Sequence, residues 1–427
     1  MADPVQATPE ELRAEAPAPT RERASALLRR RDFRRLYTAV AASELGDALH
    51  YIALMWVALE AGGPLGVIAV RLADSVPALL FGLHGGLVAD RWDRRRLMIA
   101  SDLFRALVLV PVAIGGLTGQ LPIWGLVLSA FALETATSYF APAYGAVVPA
   151  LVGRGNVQQA NGLVQATAQA LSIGGWAAAA GLLAVLPISA FFAVNAGTFI
   201  VSAALIAGLG RGAGRVAHAE PPRVREGFAA LRPRRALAVG VAVLAVAVTI
   251  SSGTWIAGVP TLVRDTLARG AGGFSLVMVG YAVGSIAGGV ALARFPVRRK
   301  ALVSMLAWLL YLPAYGLMAL AGALPIAVAG AVAAGLGQGS ALVLLTAAAQ
   351  EDVPDAVLGR VMGLISLVHR GAHATGLILV APLFAVVEPR SVFAGAGVAL
   401  GVVGLAGAAT ARASAARAHE KDRSRRS

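Results

Sequence analysis

Residues 85–96 read GGLVADRWDRRR. An apolar approach ends at Asp90, and Arg91, Arg94, Arg95 and Arg96 follow at once. A helix leaving hydrocarbon for water shows this pattern, with charge beginning where lipid phosphate begins. Apolar runs at 64–89 and 97–118 flank the stretch. Each exceeds the roughly 20 residues needed to cross about 30 Å of hydrocarbon. Working outward, similar runs lie at 36–60, 122–146, 160–186, 188–209, 236–262, 272–293, 301–321, 324–349, 359–386 and 391–411. Strand alternation is absent, which excludes a barrel. The expected fold is therefore an all-α integral membrane protein with twelve transmembrane helices.

Composition agrees. Of 427 residues, 57% are hydrophobic and 14% charged, with a mean hydropathy of +0.71. Soluble proteins carry about 25% charge. Cysteine is absent, which excludes disulfide frameworks and thiolate chemistry. The net charge of +14 reflects topology rather than a nucleic-acid groove. If both termini are cytoplasmic, only Arg264, Arg269 and Arg390 fall in the opposite loops, and only Arg71, Arg105 and Arg370 inside spans. The rest of the 37 Lys and Arg share one side, as the positive-inside rule requires. Binding to nucleic acid is not expected, whereas contact with anionic lipid is.

The chain also repeats itself. Gly86 to Arg91, followed by Arg94–Arg96, reappears as Gly289 to Arg294 followed by Arg298, Arg299 and Lys300. Val147-Val-Pro149 reappears as Asp352-Val-Pro354 at nearly the same offset. The expected units are a disordered cytoplasmic arm (1–30), a six-helix bundle (31–209), a cytoplasmic linker (210–235), a second six-helix bundle (236–411) and a basic tail (412–427). Parallel six-helix repeats that meet around a central cavity describe a rocking transporter.

Here the sequence resembles the major facilitator superfamily. GGLVADRWDRRR matches the signature loop of that family between its second and third spans. FRRLYTAVAASELGD, SDLFRA (101–106), YFAPAYGAVVPALV (139–152), FFAVNAGTFIVSAALI (191–206) and VPDAVLGRVMGL (353–364) are similar to its drug:proton antiporter branch, which contains macrolide-efflux and enterobactin-exporter-like proteins. The resemblance implies a gating role for Gly86, Asp90, Arg91 and Arg94, with Asp102 and Arg105 as a second charge pair beside them. The arginines otherwise anchor the span on lipid phosphate. Gly86 is expected where a neighbouring helix approaches closely. Two departures stand out: Ala293 replaces the acid in the second copy, and Ser172–Gly181 lacks the proline common in antiporters of the family.

Charges inside the spans point to the chemistry. At about 1.5 Å per residue, Glu44 lies about 12 Å deep, and Asp47, Asp74, Glu134 and Arg370 lie about 15–18 Å deep. His373 follows one turn further on the same span as Arg370. Ionisable groups at this depth are costly and usually functional. Glu44, Asp47 and His50 step by three along one face of the first span. Asp74 either pairs locally with Arg71 or serves the cavity. Arg370 either neutralises one of the acids or holds an acidic group on the substrate. The spans of the second half contain no acid away from their ends, and carry Thr249, Ser251 and Ser252 where the first span has its acids. His369 and His373 lack a third ligand motif, so no metal is expected.

No nucleotide, phosphate-loop or hydrolase motif is present, so neither catalytic residues nor cofactors are expected. The expectation is a proton-coupled exporter of a hydrophobic or cationic small molecule (a drug, antibiotic or siderophore) that works as a monomer in a bacterial inner membrane. An uptake symporter of a small metabolite and a non-transporting membrane receptor are the alternatives.

Overall fold

The computed structural model describes residues 24–153, 156–210, 231, 233–295 and 297–426. A short helix α1 (Ala24–Leu27) precedes α2 (Arg31–Arg91), which contains the first two spans in one run. The two are separated at Gly63, where φ is 59° and ψ −157°. That left-handed backbone is accessible to glycine at little cost, and Pro64 then restarts the helix with its fixed φ. The next spans are α3 (Arg94–Leu117), α4 (Ile123–Val152), α5 (Val157–Leu182) and α6 (Ala190–Ala207). The second half has α7 (Arg235–Thr261), α8 (Ala271–Arg294), α9 (Lys300–Ala307) and α10 (Tyr311–Ala319). A tight turn, Trp308–Leu310, joins α9 and α10 into one span. It closes with α11 (Leu324–Asp352), α12 (Asp355–Leu379) and α13 (Pro389–Arg426).

Among the described residues ten helices are long and apolar enough to cross a membrane, one of which, α2, holds two spans; α5 has the length but falls short in hydropathy, and no strand occurs. α5 is the least apolar, because it carries Gln158, Gln159, Asn161, Gln165 and Gln169, yet it is helical throughout.

Three boundaries differ from expectation. Helix α3 starts at Arg94 rather than in the apolar run, because the Asp93 carboxylate caps it by accepting the Arg96 N–H at 2.9 Å. The basic tail continues α13 as helix to Arg426. The disorder expected over 1–30 does not reach 24–30: Leu27 is fully buried, and the Arg30 guanidinium donates to the Leu151 and Val152 carbonyls at 3.2 and 3.1 Å. Residues 1–23 of that arm, and 211–230 and 232 of the linker, lie outside the described residues.

The Arg30 contact exposes the repeat at the level of hydrogen bonds. In the second half, Arg234 just ahead of α7 donates to the Asp352 carbonyl at 2.5 Å. In each half an arginine ahead of the first span caps the carbonyl end of the fourth, where the helix dipole is negative.

Packing within each half relies on backbone approach. A β-carbon on Gly284 of α8 would lie 1.9 Å from the Val332 carbonyl oxygen, and one on Gly335 of α11 1.9 Å from that of Tyr281. In the first half, a β-carbon on Gly85 would lie 2.1 Å from the Ser138 carbonyl oxygen. Without a hydrophobic driving force between helices in lipid, such close fits supply much of the association. The halves themselves meet at the end remote from the arginine clusters. There Arg264 donates to the Leu59 carbonyl at 2.6 Å, and the Ser275 hydroxyl donates to the Trp176 carbonyl. The Phe274 ring lies 6.5 Å from both Tyr51 and Trp56.

Gly284→Val should split α8 from α11, because the clash is with backbone that cannot rotate away. The expected outcome is a lower unfolding midpoint in detergent and loss of the monodisperse peak on size exclusion. Gly289→Ala, where the new carbon meets nothing within 4 Å, should leave both unchanged.

Candidate functional site: a charged cavity in the first six helices

A cavity of about 260 Å³ opens among the spans of the first half. The first span contributes Asp47, His50, Tyr51 and Leu54, which share a helical face by their spacing. The second span supplies Arg71 and Asp74, α3 supplies Arg105, α4 supplies Glu134 and Thr137, and α6 supplies Phe199. The three acids expected at mid-depth, Asp47, Asp74 and Glu134, therefore share one cavity.

The two guanidinium groups are each committed. Arg71 Nη1 donates to Asp74 Oδ2 at 2.5 Å, and its charge lies 5.9 Å from the Tyr51 ring centre. Arg105 Nη1 donates to Asp102 Oδ1 at 3.1 Å and is sandwiched by rings, 4.7 Å from Phe140 and 5.2 Å from Phe199. The other Asp102 oxygen accepts from the Ser202 hydroxyl at 2.7 Å. Asp47 is held by the Asn195 amide, which donates to Oδ1 at 3.0 Å. Glu134 makes no ion pair among the described residues, yet sits within electrostatic reach of Asp74, Arg105 and Arg71. Four acids thus face two cations. With Arg71 and Arg105 each bound to an aspartate, Asp47 and Glu134 remain without a salt bridge among the described residues.

The second charge pair is the clearest correction. Asp102 and Arg105 do not stand beside the loop at the membrane surface. Asp102 is fully buried, and Arg105 lines the cavity, because twelve residues of helix carry Arg105 from the loop to mid-depth. Gly86 also differs: a β-carbon there would meet nothing within 4 Å, and the close approach belongs to its neighbour Gly85. Asp90 is half exposed, with one oxygen 3.9 Å from the buried Arg94 guanidinium, whose Nε donates to the Ala89 carbonyl at 3.3 Å. Arg91 is exposed, and Arg95 caps α6 through the Ile206 and Ala207 carbonyls.

Glu44 lies on the same stripe as Asp47 but does not line the cavity. Arg370 is exposed and makes no ion pair with a carboxylate among the described residues, so the neutralising role expected of it is not seen. His373 stands within electrostatic reach of Arg71 on the other half. Among the described residues no cluster of ligands for a metal occurs. The hydroxyls that replace the acids in the second half are used in packing: Thr249 donates to the Ala372 carbonyl at 3.2 Å and Ser252 to that of His373 at 3.4 Å. Trp308, Tyr311 and Tyr315 are likewise buried in the core of the second half.

Asn195, Thr137 and Phe199 were not singled out by their sequence. Asn195 had a signal, as the one amide in its span, and the structure shows it completely buried. Phe199 and Thr137 had none, since a ring or hydroxyl in a span is ordinary.

The profile of the transmembrane secretion effector family, within the major facilitator (MFS) group, matches residues 23–425. Macrolide efflux protein A of Streptococcus pyogenes is 28% identical over 83% of this chain and 89% of its own length. The MFS-type transporter YfiS of Bacillus subtilis is 31% identical over 38% of this chain, a match that spans only 39% of YfiS. Among solved structures, the nucleoside transporter NupG superposes with a TM-score of 0.68 at 13% identity, covering 89% of this chain and 98% of NupG. A bacterial homologue of the iron transporter ferroportin, in an inward-facing state, superposes with a TM-score of 0.65 at 16% identity, covering 88% of this chain and 98% of that one.

Removing one partner of a fully buried ion pair leaves the other charge uncompensated, which typically costs about 3–5 kcal/mol. Asp102→Asn should therefore lower stability by about that much, read as a depressed unfolding midpoint in detergent. Asp90→Asn, at a half-exposed pair, should leave the midpoint within error of the parent.

Proposed function

The chain belongs to the transmembrane secretion effector family of major facilitator transporters, and on that footing we propose that it exports a cationic, lipophilic small molecule in exchange for protons. The observation that carries this reading is the pair of carboxyl groups, Asp47 and Glu134, that share a mid-depth cavity without a salt-bridge partner among the described residues. An unpaired carboxylate at mid-depth of a span is costly even where, like Asp47, it is exposed to the cavity, so each is a site for a proton or for a cationic cargo. Competition for one site couples the two fluxes: cargo arrives as the proton leaves, and the proton returns from the side where it is abundant. Asp74 is quieted by Arg71 and serves to position it.

Export rather than uptake is favoured by the relatedness to macrolide efflux protein A, which covers most of both chains. A macrolide with a basic amino sugar combines a large apolar body with one positive charge, the chemistry an acid-lined cavity accepts. The arginine-rich face is taken as cytoplasmic, with both termini on that side of a bacterial inner membrane, on the charge asymmetry. Contacts between the halves concentrate at the far face, which makes this conformer open toward the arginine-rich side. Asp90 and Arg94 then act as the latch that forms when that side closes, a two-state element of the kind alternating access needs.

In proteoliposomes loaded with a radiolabelled macrolide, Glu134→Gln and Asp47→Asn should each abolish transport driven by a pH gradient while leaving expression and folding intact. Normal gradient-driven transport in both variants would refute the carboxylate assignment. Asp90→Asn should reduce the maximal rate several-fold with little change in the half-saturating concentration; an unchanged rate would remove the latch.

A further inference from the structure

A second cavity, of about 570 Å³, lies at the arginine-rich end of the second bundle, where the starts of α7 and α9 meet the end of α11 and the Ala411–Arg412 turn of α13. We propose that it binds the phosphate headgroup of an anionic membrane lipid. Four cationic side chains line it: Arg298, Arg299, Lys300 and Arg412. Lys300 is neutralised by an ion pair with Glu351. Arg298, Arg299 and Arg412 are exposed and have no carboxylate or carbonyl partner among the described residues. The Asp352 carboxylate also borders the cavity, so the unpaired balance remains positive.

Two further features select a phosphate carried by lipid. The N-termini of α7 and α9 open at this cavity, adding unsatisfied N–H groups and the positive ends of two helix dipoles. The remaining wall is apolar, formed by Ala236, Leu302, Ala348 and Ala411 from the terminal turns of four spans. Guanidinium groups above an apolar wall at the boundary of the spans match an oxyanion attached to glycerol and acyl chains, rather than a free ion.

The corresponding region of the first half sharpens the assignment. There too a cavity stands at the arginine-rich end, bordered by Arg30, Arg31 and Arg35. Its arginines are largely spent on the protein: Arg30 on the Leu151 and Val152 carbonyls, and Arg35 on the Gly208 carbonyl and Asp32. The repeat has kept the cavity in both halves, with Arg31 alone left exposed at the first and three cations, Arg298, Arg299 and Arg412, exposed at the second.

The full chain purified in detergent should be titrated with cardiolipin and read by native mass spectrometry and by the unfolding midpoint. Cardiolipin should bind and stabilise the parent. The combined variant Arg298→Gln, Arg299→Gln, Arg412→Gln should bind it on the order of a hundredfold more weakly, at about 1 kcal/mol per cation. Arg412→Gln alone, at about 1 kcal/mol, should bind roughly fivefold more weakly. The exposed Arg269→Gln at the opposite face should bind as the parent does. Retention of cardiolipin by the combined variant would overturn the site. So would equal stabilisation of the parent by phosphatidylcholine, or by inorganic phosphate at the same concentration.

Discussion

A carboxylic acid placed midway through a bilayer protein without a counter-charge is the constraint around which this molecule is arranged. Ionised and unpaired it is expensive, and the protein answers that cost in different ways at different positions. Asp74 has Arg71 at 2.5 Å, and Asp102 has Arg105 and the Ser202 hydroxyl. Asp47 has only a neutral amide, and Glu134 has no ion pair among the described residues. Those two solutions define two roles. The paired acids hold the walls together, and the unpaired ones are those to which the proposed exchange of proton and cargo is assigned.

The two halves share a plan but divide the labour. Both use an arginine ahead of their first span to cap the fourth, and both pack spans through glycine against bare carbonyl oxygen. Among the described residues only the first half carries acids deep in its spans, while the second half carries His369, Arg370 and His373. The equivalent hydroxyls in the second half are bound to the carbonyls of α12, where Gly253 and Gly376 also bring backbones together.

Much of this was legible in the sequence, and the limits have physical causes. Span positions followed from apolar length alone, since the bilayer fixes that length. The meeting of Asp47, Asp74 and Glu134 followed from depth, because rise per residue converts sequence position directly into height. Azimuth was the harder coordinate. Depth alone also places Arg370 near the acids, but it does not line their cavity and makes no ion pair with them among the described residues. Arg105 was grouped with the surface loop because of its neighbours in sequence, although its own depth already placed it beside Asp47. Asn195 shows the remaining gap: its bond to Asp47 joins residues 148 apart, and nothing local announces such a partner.

The central claim is that cargo and proton compete for the same carboxyl groups, and proton release on binding tests it most directly. Purified protein in weakly buffered detergent solution, mixed with a macrolide in the presence of a pH indicator, should release protons in proportion to the macrolide bound. Saturable binding with no proton release across the range from pH 5 to pH 9 would contradict the account.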